Sequence, residues 1–136
     1  MVVMVSGCGK KAMPKPPRYV EPPSVSNLNV DNVENEAIYL SWQLPKGDYN
    51  LKNYRVYLAQ DALATLCLTC PPNFAPIGEG KSITQADGSR LYTFQMHIQP
   101  GFRYVYKVNA VGSGNHEGKD SNYAVYNYEV QSGLTE

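Results

Sequence analysis

Residues Ile98-Gln99-Pro100-Gly101-Phe102-Arg103-Tyr104-Val105-Tyr106-Lys107-Val108-Asn109-Ala110-Val111 restrict this chain's fold more than any other stretch. Pro100 presets one backbone angle and Gly101 accepts a positive φ, so the run opens with a tight turn. It then alternates. Tyr104, Tyr106, Val108 and Ala110 point one way, and Arg103, Val105, Lys107 and Asn109 point the other. A period of two is the pattern of a half-buried strand. Tyr104 falls just past the turn, where its ring can be buried while its hydroxyl reaches back to the turn's backbone.

Other segments repeat the alternation. Leu28 and Val30 are apolar after a Pro-Pro entry, and 31–36 reads as a polar turn. Ile38, Leu40 and Trp42 face inward, with Tyr39 and Ser41 outward; 45–48 reads as a loop. Tyr54, Val56 and Leu58 form the inward set of the next strand, and 74–78 reads as a short edge strand broken by Pro76. Residues 91–98 and 121–130 complete the strands, with Tyr126, Tyr128 and Val130 on one side of the last. Eleven Tyr and ten Pro suit such an all-β chain, and 136 residues suffice for one domain with a core. Twelve basic residues balance twelve acidic ones, which argues against an electrostatic grip on nucleic acid or anionic membrane.

The spacing aliphatic-x-Pro-Gly-x-x-Tyr, followed by alternating apolar residues and an Ala, resembles strand F of fibronectin type III domains. Tyr104 then matches the tyrosine corner of immunoglobulin-like sandwiches. Trp42 resembles the core tryptophan of strand B in that family. The resemblance covers residues 24 to about 130 and implies a seven-stranded, two-sheet sandwich at 24–131, followed by a tail at 132–136. Strands C, F and G would share a sheet whose outward residues are Arg55, Tyr57, Arg103, Val105, Lys107, Tyr123 and Val125. Aromatic and aliphatic groups interleaved with cations suit a partner-binding face.

Residues 1–8 end in Val5-Ser6-Gly7-Cys8, which resembles the lipobox of bacterial lipoproteins, with Cys8 as the lipidated residue. No basic region precedes it, which implies an upstream start codon. Gly9 rather than Asp follows Cys8, which by that resemblance implies sorting to the periplasmic face of the outer membrane. Residues 9–23 form a Pro-rich linker, with five prolines in 14–23. In extended polyproline II, at about 3.1 Å per residue, it would hold a domain roughly 40 Å from its anchor. The run Cys8-Gly9-Lys10-Lys11 leading into prolines also resembles the mature start of a small enterobacterial lipoprotein that assists assembly of the lipopolysaccharide transporter.

The chain departs from the family between its third and fourth strands, where residues 60–72 carry Cys67-Leu68-Thr69-Cys70-Pro71-Pro72. With Cys8 set aside, an even pair of cysteines remains. A disulfide pinning this loop against the sheet edge requires only an oxidising compartment. A redox pair would require its first thiol at a helix N-terminus, and only 61–66 offers a single turn. A c-type haem would require His where Pro71 stands. A zinc site would recruit His97 and His116 at spacings unlike known fingers. Neither His has a nucleophile and an acid at triad spacing. The sequence therefore predicts a lipid-anchored, non-enzymatic interaction module of the cell envelope, an accessory or scaffold subunit of an assembly there. Its protein partner is unnamed and no cofactor is called for. The rival class is a periplasmic thiol-disulfide enzyme using Cys67 and Cys70.

Overall fold

The computed structural model describes residues 22, 24–44 and 51–130. Expectations for Cys8, the linker apart from Pro22, the 45–48 loop and the 132–136 tail fall outside the described residues. Among the described residues, eight antiparallel strands form two sheets packed face to face. One sheet is ordered β1-β2-β6-β5, from β1 (Asn29–Glu34), β2 (Ala37–Leu44), β5 (Lys81–Thr84) and β6 (Arg90–His97). The other is ordered β4-β3-β7-β8, from β3 (Leu51–Ala62), β4 (Ala75–Glu79), β7 (Phe102–Gly112) and β8 (Ala124–Tyr128).

Alternation places one side of each strand in the shared core. Ile38, Leu40, Trp42 and Leu44 of β2 meet Tyr54, Val56 and Leu58 of β3 and Tyr104, Tyr106, Val108 and Ala110 of β7, all buried. Trp42, Tyr54 and Tyr92 pack as a three-ring cluster with centroids 4.4 to 5.9 Å apart. Aromatic rings in edge and offset contact add attraction beyond the area they remove from water. The Tyr104 hydroxyl accepts from the Gln99 N–H at 2.7 Å and lies 3.3 Å from the Gln99 carbonyl, which ties the strand to its own turn. Gly101 takes φ 98° there, and its N–H donates to the Tyr128 carbonyl.

The strand count is eight rather than seven, because the chain changes sheets between β4 and β5. The crossing is at Gly80, whose N–H donates to the Tyr54 carbonyl at 3.2 Å. A Cβ at Gly80 would stand 2.5 Å from the Trp42 ring, so only glycine lets the chain pass the core tryptophan this closely. The polar run 31–36 is likewise not all turn. A bulge between Val30 and Asn32 keeps β1 paired with β2 as far as Glu34. Only Asn35 and Glu36 turn, both with positive φ. At the other end β8 starts late, at Ala124, because side chains replace the ladder before it. The Val108 N–H donates to Ser121 Oγ at 2.8 Å, and the Asn122 amide pairs with both backbone groups of Leu28 at 2.9 and 3.0 Å.

Candidate functional site

The second sheet's outer face collects most of the residues that alternation turned outward. Register sets Tyr57 beside Lys107, Arg55 beside Asn109, Ala59 beside Val105, and Val105 beside Val125. Arg55, Tyr57, Arg103 and Lys107 are half-buried, while Tyr123 and Val125 are exposed. Val105 is the correction: it is only 5% exposed and presents no contact surface. Its neighbour Ala59 is also buried.

The insertion that follows β3 returns over this face. It leaves β3 at Ala62, makes a short 3-10 turn at Leu63–Thr65, and is tied by the Leu63 N–H to the Gly101 carbonyl at 2.9 Å. It returns at Phe74, whose ring meets Tyr123 with centroids 5.2 Å apart. Phe74 precedes the edge strand β4, whereas Tyr123 precedes β8 at the opposite edge. The side chain of Phe74, at the end of the returning segment, thus reaches across the sheet's face.

Lys107 sits at the centre of this face. Its Nζ is 4.9 Å from the Tyr57 ring centroid and 4.9 Å from that of Phe74. Two aromatic faces about an ammonium form a cation–π pair of contacts. The same nitrogen bonds Asp120 Oδ1 at 2.9 Å, and Asn109 Nδ2 donates to that oxygen at 2.8 Å. Those two bonds, Lys107 first, hold the Asp120 carboxyl below the usual carboxylate range. Arg55 Nη1 lies 2.6 Å from Glu117 Oε2, and the Tyr57 hydroxyl donates to the same carboxylate at 2.7 Å. Burial, reinforced by the bond to Glu117, pushes the Tyr57 phenol up. Arg55 and Lys107 are thus each neutralised within the face.

What remains open is apolar. Leu68 at the insertion's tip is 77% exposed, with Tyr123 and Val125 next to the half-buried centre at 47% and 42%. Cys67 and Cys70 are joined by a disulfide, and the Cys70 N–H lies 3.4 Å from the Cys67 carbonyl, so the tip is a tight clipped turn. Neither sulfur begins a helix. His97 precedes β7 and His116 follows it, at opposite ends of an 11-residue strand. Among the described residues no three His, Cys, Asp or Glu side chains group to hold a metal. A separate concavity of about 620 Å³ lies mainly on the other sheet, lined by Tyr39, Thr93, Gln95 and Lys81 with Glu79 of β4 among others; it contains none of the candidate site residues read from the sequence.

Phe74, Glu117, Asp120 and Leu68 were missed by the sequence reading. Glu117 and Asp120 occupy a glycine-rich segment that folds back on β7, through a Val111–Glu117 bridge and a Gly118 N–H to Ala110 carbonyl bond. A hint of this was available: two acids lie within the return path of a strand carrying outward Lys107 and Asn109.

The comparisons agree with this architecture. A family model described as fibronectin type III domain matches residues 21–131. No curated protein matches. Among solved structures, a human fourth FNIII domain is 14% identical, with TM-score 0.60, over 93% of this chain and 98% of its own. The twitchin kinase region from C. elegans is 18% identical, with TM-score 0.56, over 81% of this chain and 17% of its own. Astrotactin-2, a vertebrate membrane protein, is 10% identical, with TM-score 0.52, over 69% of this chain and 19% of its own. This chain therefore spans less than a fifth of each of the last two.

Proposed function

This chain belongs to the fibronectin type III domain family, and on that premise we propose that it is a non-enzymatic protein-interaction module held in a bacterial cell envelope by a lipid on Cys8. Domains of this family commonly act as interaction modules. The observation that carries the reading is the outer face of the second sheet. Two of its cations, Arg55 and Lys107, are already paired with Glu117 and Asp120, so a partner need not supply compensating charge for them. Tyr123 and Val125 stay exposed beside those ion pairs, and Leu68 is exposed at the tip of the insertion, apolar anchors beside polar groups of the kind that contact surfaces favour. The module serves as an accessory or scaffold subunit, at the periplasmic face of the outer membrane.

Two experiments test the reading. With its upstream leader, the protein incorporates labelled palmitate and fractionates with membranes, and Cys8→Ala abolishes both; label retained in Cys8→Ala overturns the anchor. Photo-crosslinkers placed at Leu68 or Tyr123 capture a discrete envelope partner, while one at Gln95, on the other sheet, does not. Equal capture from both sheets overturns the choice of face.

A further inference from the structure

An edge strand exposes unpaired N–H and C=O groups to any extended chain, and proteins blunt such edges with charges, prolines, bulges or short length. Three of the four edges here carry such devices. β1 is bulged between Val30 and Asn32 and bears Asp31 and Glu34. β4 contains Pro76 and a register break opposite Val56 and Tyr57. β5 has four residues and begins with Lys81.

β8, five residues long, carries no charge, proline or bulge. Its residues Ala124-Val125-Tyr126-Asn127-Tyr128 include no charge and no proline, and its register with β7 is unbroken from Ala124 to Tyr128. Val125, Tyr126 and Tyr128 are β-branched or aromatic, the types that fit a pleated surface. Among the described residues β8 pairs with β7 alone. Three of the six exposed large hydrophobics, Tyr123, Val125 and Val130, lie on this strand or within two residues of it.

We propose that β8 is a self-association edge, on which a second copy of the chain pairs antiparallel, β8 against β8, about a two-fold axis. The sequence of the strand favours a second copy as the occupant. Because it is uncharged, antiparallel apposition to itself sets no like charges opposite one another, and an isologous contact needs one surface serving both sides. The register follows from the strand's limits. On one side Asn122 is occupied, its amide by Leu28 and its N–H by the Val25 carbonyl at 3.3 Å. On the other side stands the charged Glu129. Within those limits, pairing the five residues of β8 itself, Ala124–Tyr128, places Tyr126 at the axis, with Val125 opposite Asn127 of the second copy and Ala124 opposite Tyr128. The two second sheets join as one eight-stranded sheet, and the Lys107 clusters of the two copies stand on the same continuous surface.

The test uses the full chain with Cys8→Ser, which removes lipidation and stray intermolecular disulfides, in sedimentation velocity from micromolar to millimolar concentration. The expected result is a reversible monomer–dimer equilibrium. Val125→Lys/Asn127→Lys sets like charges opposite in both symmetry-related pairs and raises the dimer's dissociation constant by about tenfold or more. Val125→Lys/Asn127→Glu sets opposite charges there and retains the dimer. Asn127 lies opposite Arg103 within the monomer. Val125→Glu/Asn127→Glu, which sets like charges across the axis without facing Arg103 with a cation, is therefore run beside Lys/Lys and weakens the dimer as well. Circular dichroism shows that each variant keeps the fold. Wild-type protein that stays monomeric throughout overturns the proposal, as does a dimer indifferent to the Lys/Lys pair. A Lys/Glu variant no better than Lys/Lys overturns the register. None of these outcomes bears on the crosslinks from Leu68, so this inference and the proposed function fail separately.

Discussion

Tyr54 and Tyr57 lie three residues apart on β3 and face opposite sides of one sheet. Tyr54 is fully buried, edge-on to Trp42 and Tyr92 with centroids 5.7 and 4.4 Å away. Tyr57 is half-buried, its ring under the Lys107 ammonium and its hydroxyl on Glu117. The inner ring contributes by the area it removes from water, at about 25 cal/mol per Å². The outer ring removes less area and instead fixes the position of two charged side chains. The inner cluster holds the sandwich together, while the outer cluster sets the shape and neutrality of a surface.

Substitutions on the two sides should separate these roles. Trp42→Ala strikes the inner cluster and should cost about 3–5 kcal/mol through lost burial and a cavity. Urea denaturation measures this directly; a loss under about 1 kcal/mol, the scale of an exposed contact, would show that the inner cluster does not carry the core. A matched pair sharpens the contrast by deleting one hydroxyl from each side. Tyr104→Phe removes the buried bond to Gln99 and should cost about 1–2 kcal/mol. Tyr57→Phe removes a half-exposed bond that water can replace, and should cost less than about 0.5 kcal/mol. Equal shifts in the two denaturation midpoints would erase the distinction between the faces.

The smallest effect is in the pH dependence of the outer face. Asp120 has its folded-state pKa lowered, chiefly by the bond from Lys107. A depressed carboxylate stabilises the fold above its unfolded pKa of about 3.9, and that support is lost as pH falls through the lower folded value. Its side chain is 47% exposed, so solvent screens the effect. Wild type should melt slightly above Asp120→Asn at neutral pH, and the gap should close below about pH 4. A gap that widens on acidification would reverse the sign argued here.

The inner face was largely legible in the sequence, because alternation alone assigns Ile38, Leu40, Trp42, Tyr54, Val56 and Tyr104 to one side. What it missed depends on contacts between distant residues. β5 went unseen because the sheet change at Gly80 is dictated by the Trp42 ring, and neither residue announces the other. Val105 was assigned to the surface because its parity is outward, and parity says nothing of what tertiary packing covers on that side. Of the outer cluster, Arg55, Tyr57 and Lys107 follow from parity. Glu117 does not, since it is 60 residues from Tyr57 in the chain and reaches it only after β7 folds back. The bulge in β1 belongs to the same class: polar residues at 31–34 read as turn, yet pairing with β2 holds them extended.

The amide of Asn122 has a mechanical consequence. It grips both backbone groups of Leu28, the Asn122 N–H bonds Val25, and Pro22 packs so near Gly118 that a Cβ there would stand 2.8 Å from its carbonyl oxygen. The entry segment is thereby stitched to the segment leading into the last strand. Tension entering at the N-terminal end of the domain meets this stitch before the ladders between strands, while tension entering at the other end meets the β7–β8 ladder at Tyr128. The first event under load is the parting of a few bonds at the ends, with Trp42 and its neighbours still sealed. Resistance to pulling, which is governed by unfolding kinetics, then depends on Asn122 and its partners together with the β7–β8 ladder, before the aromatic core is engaged.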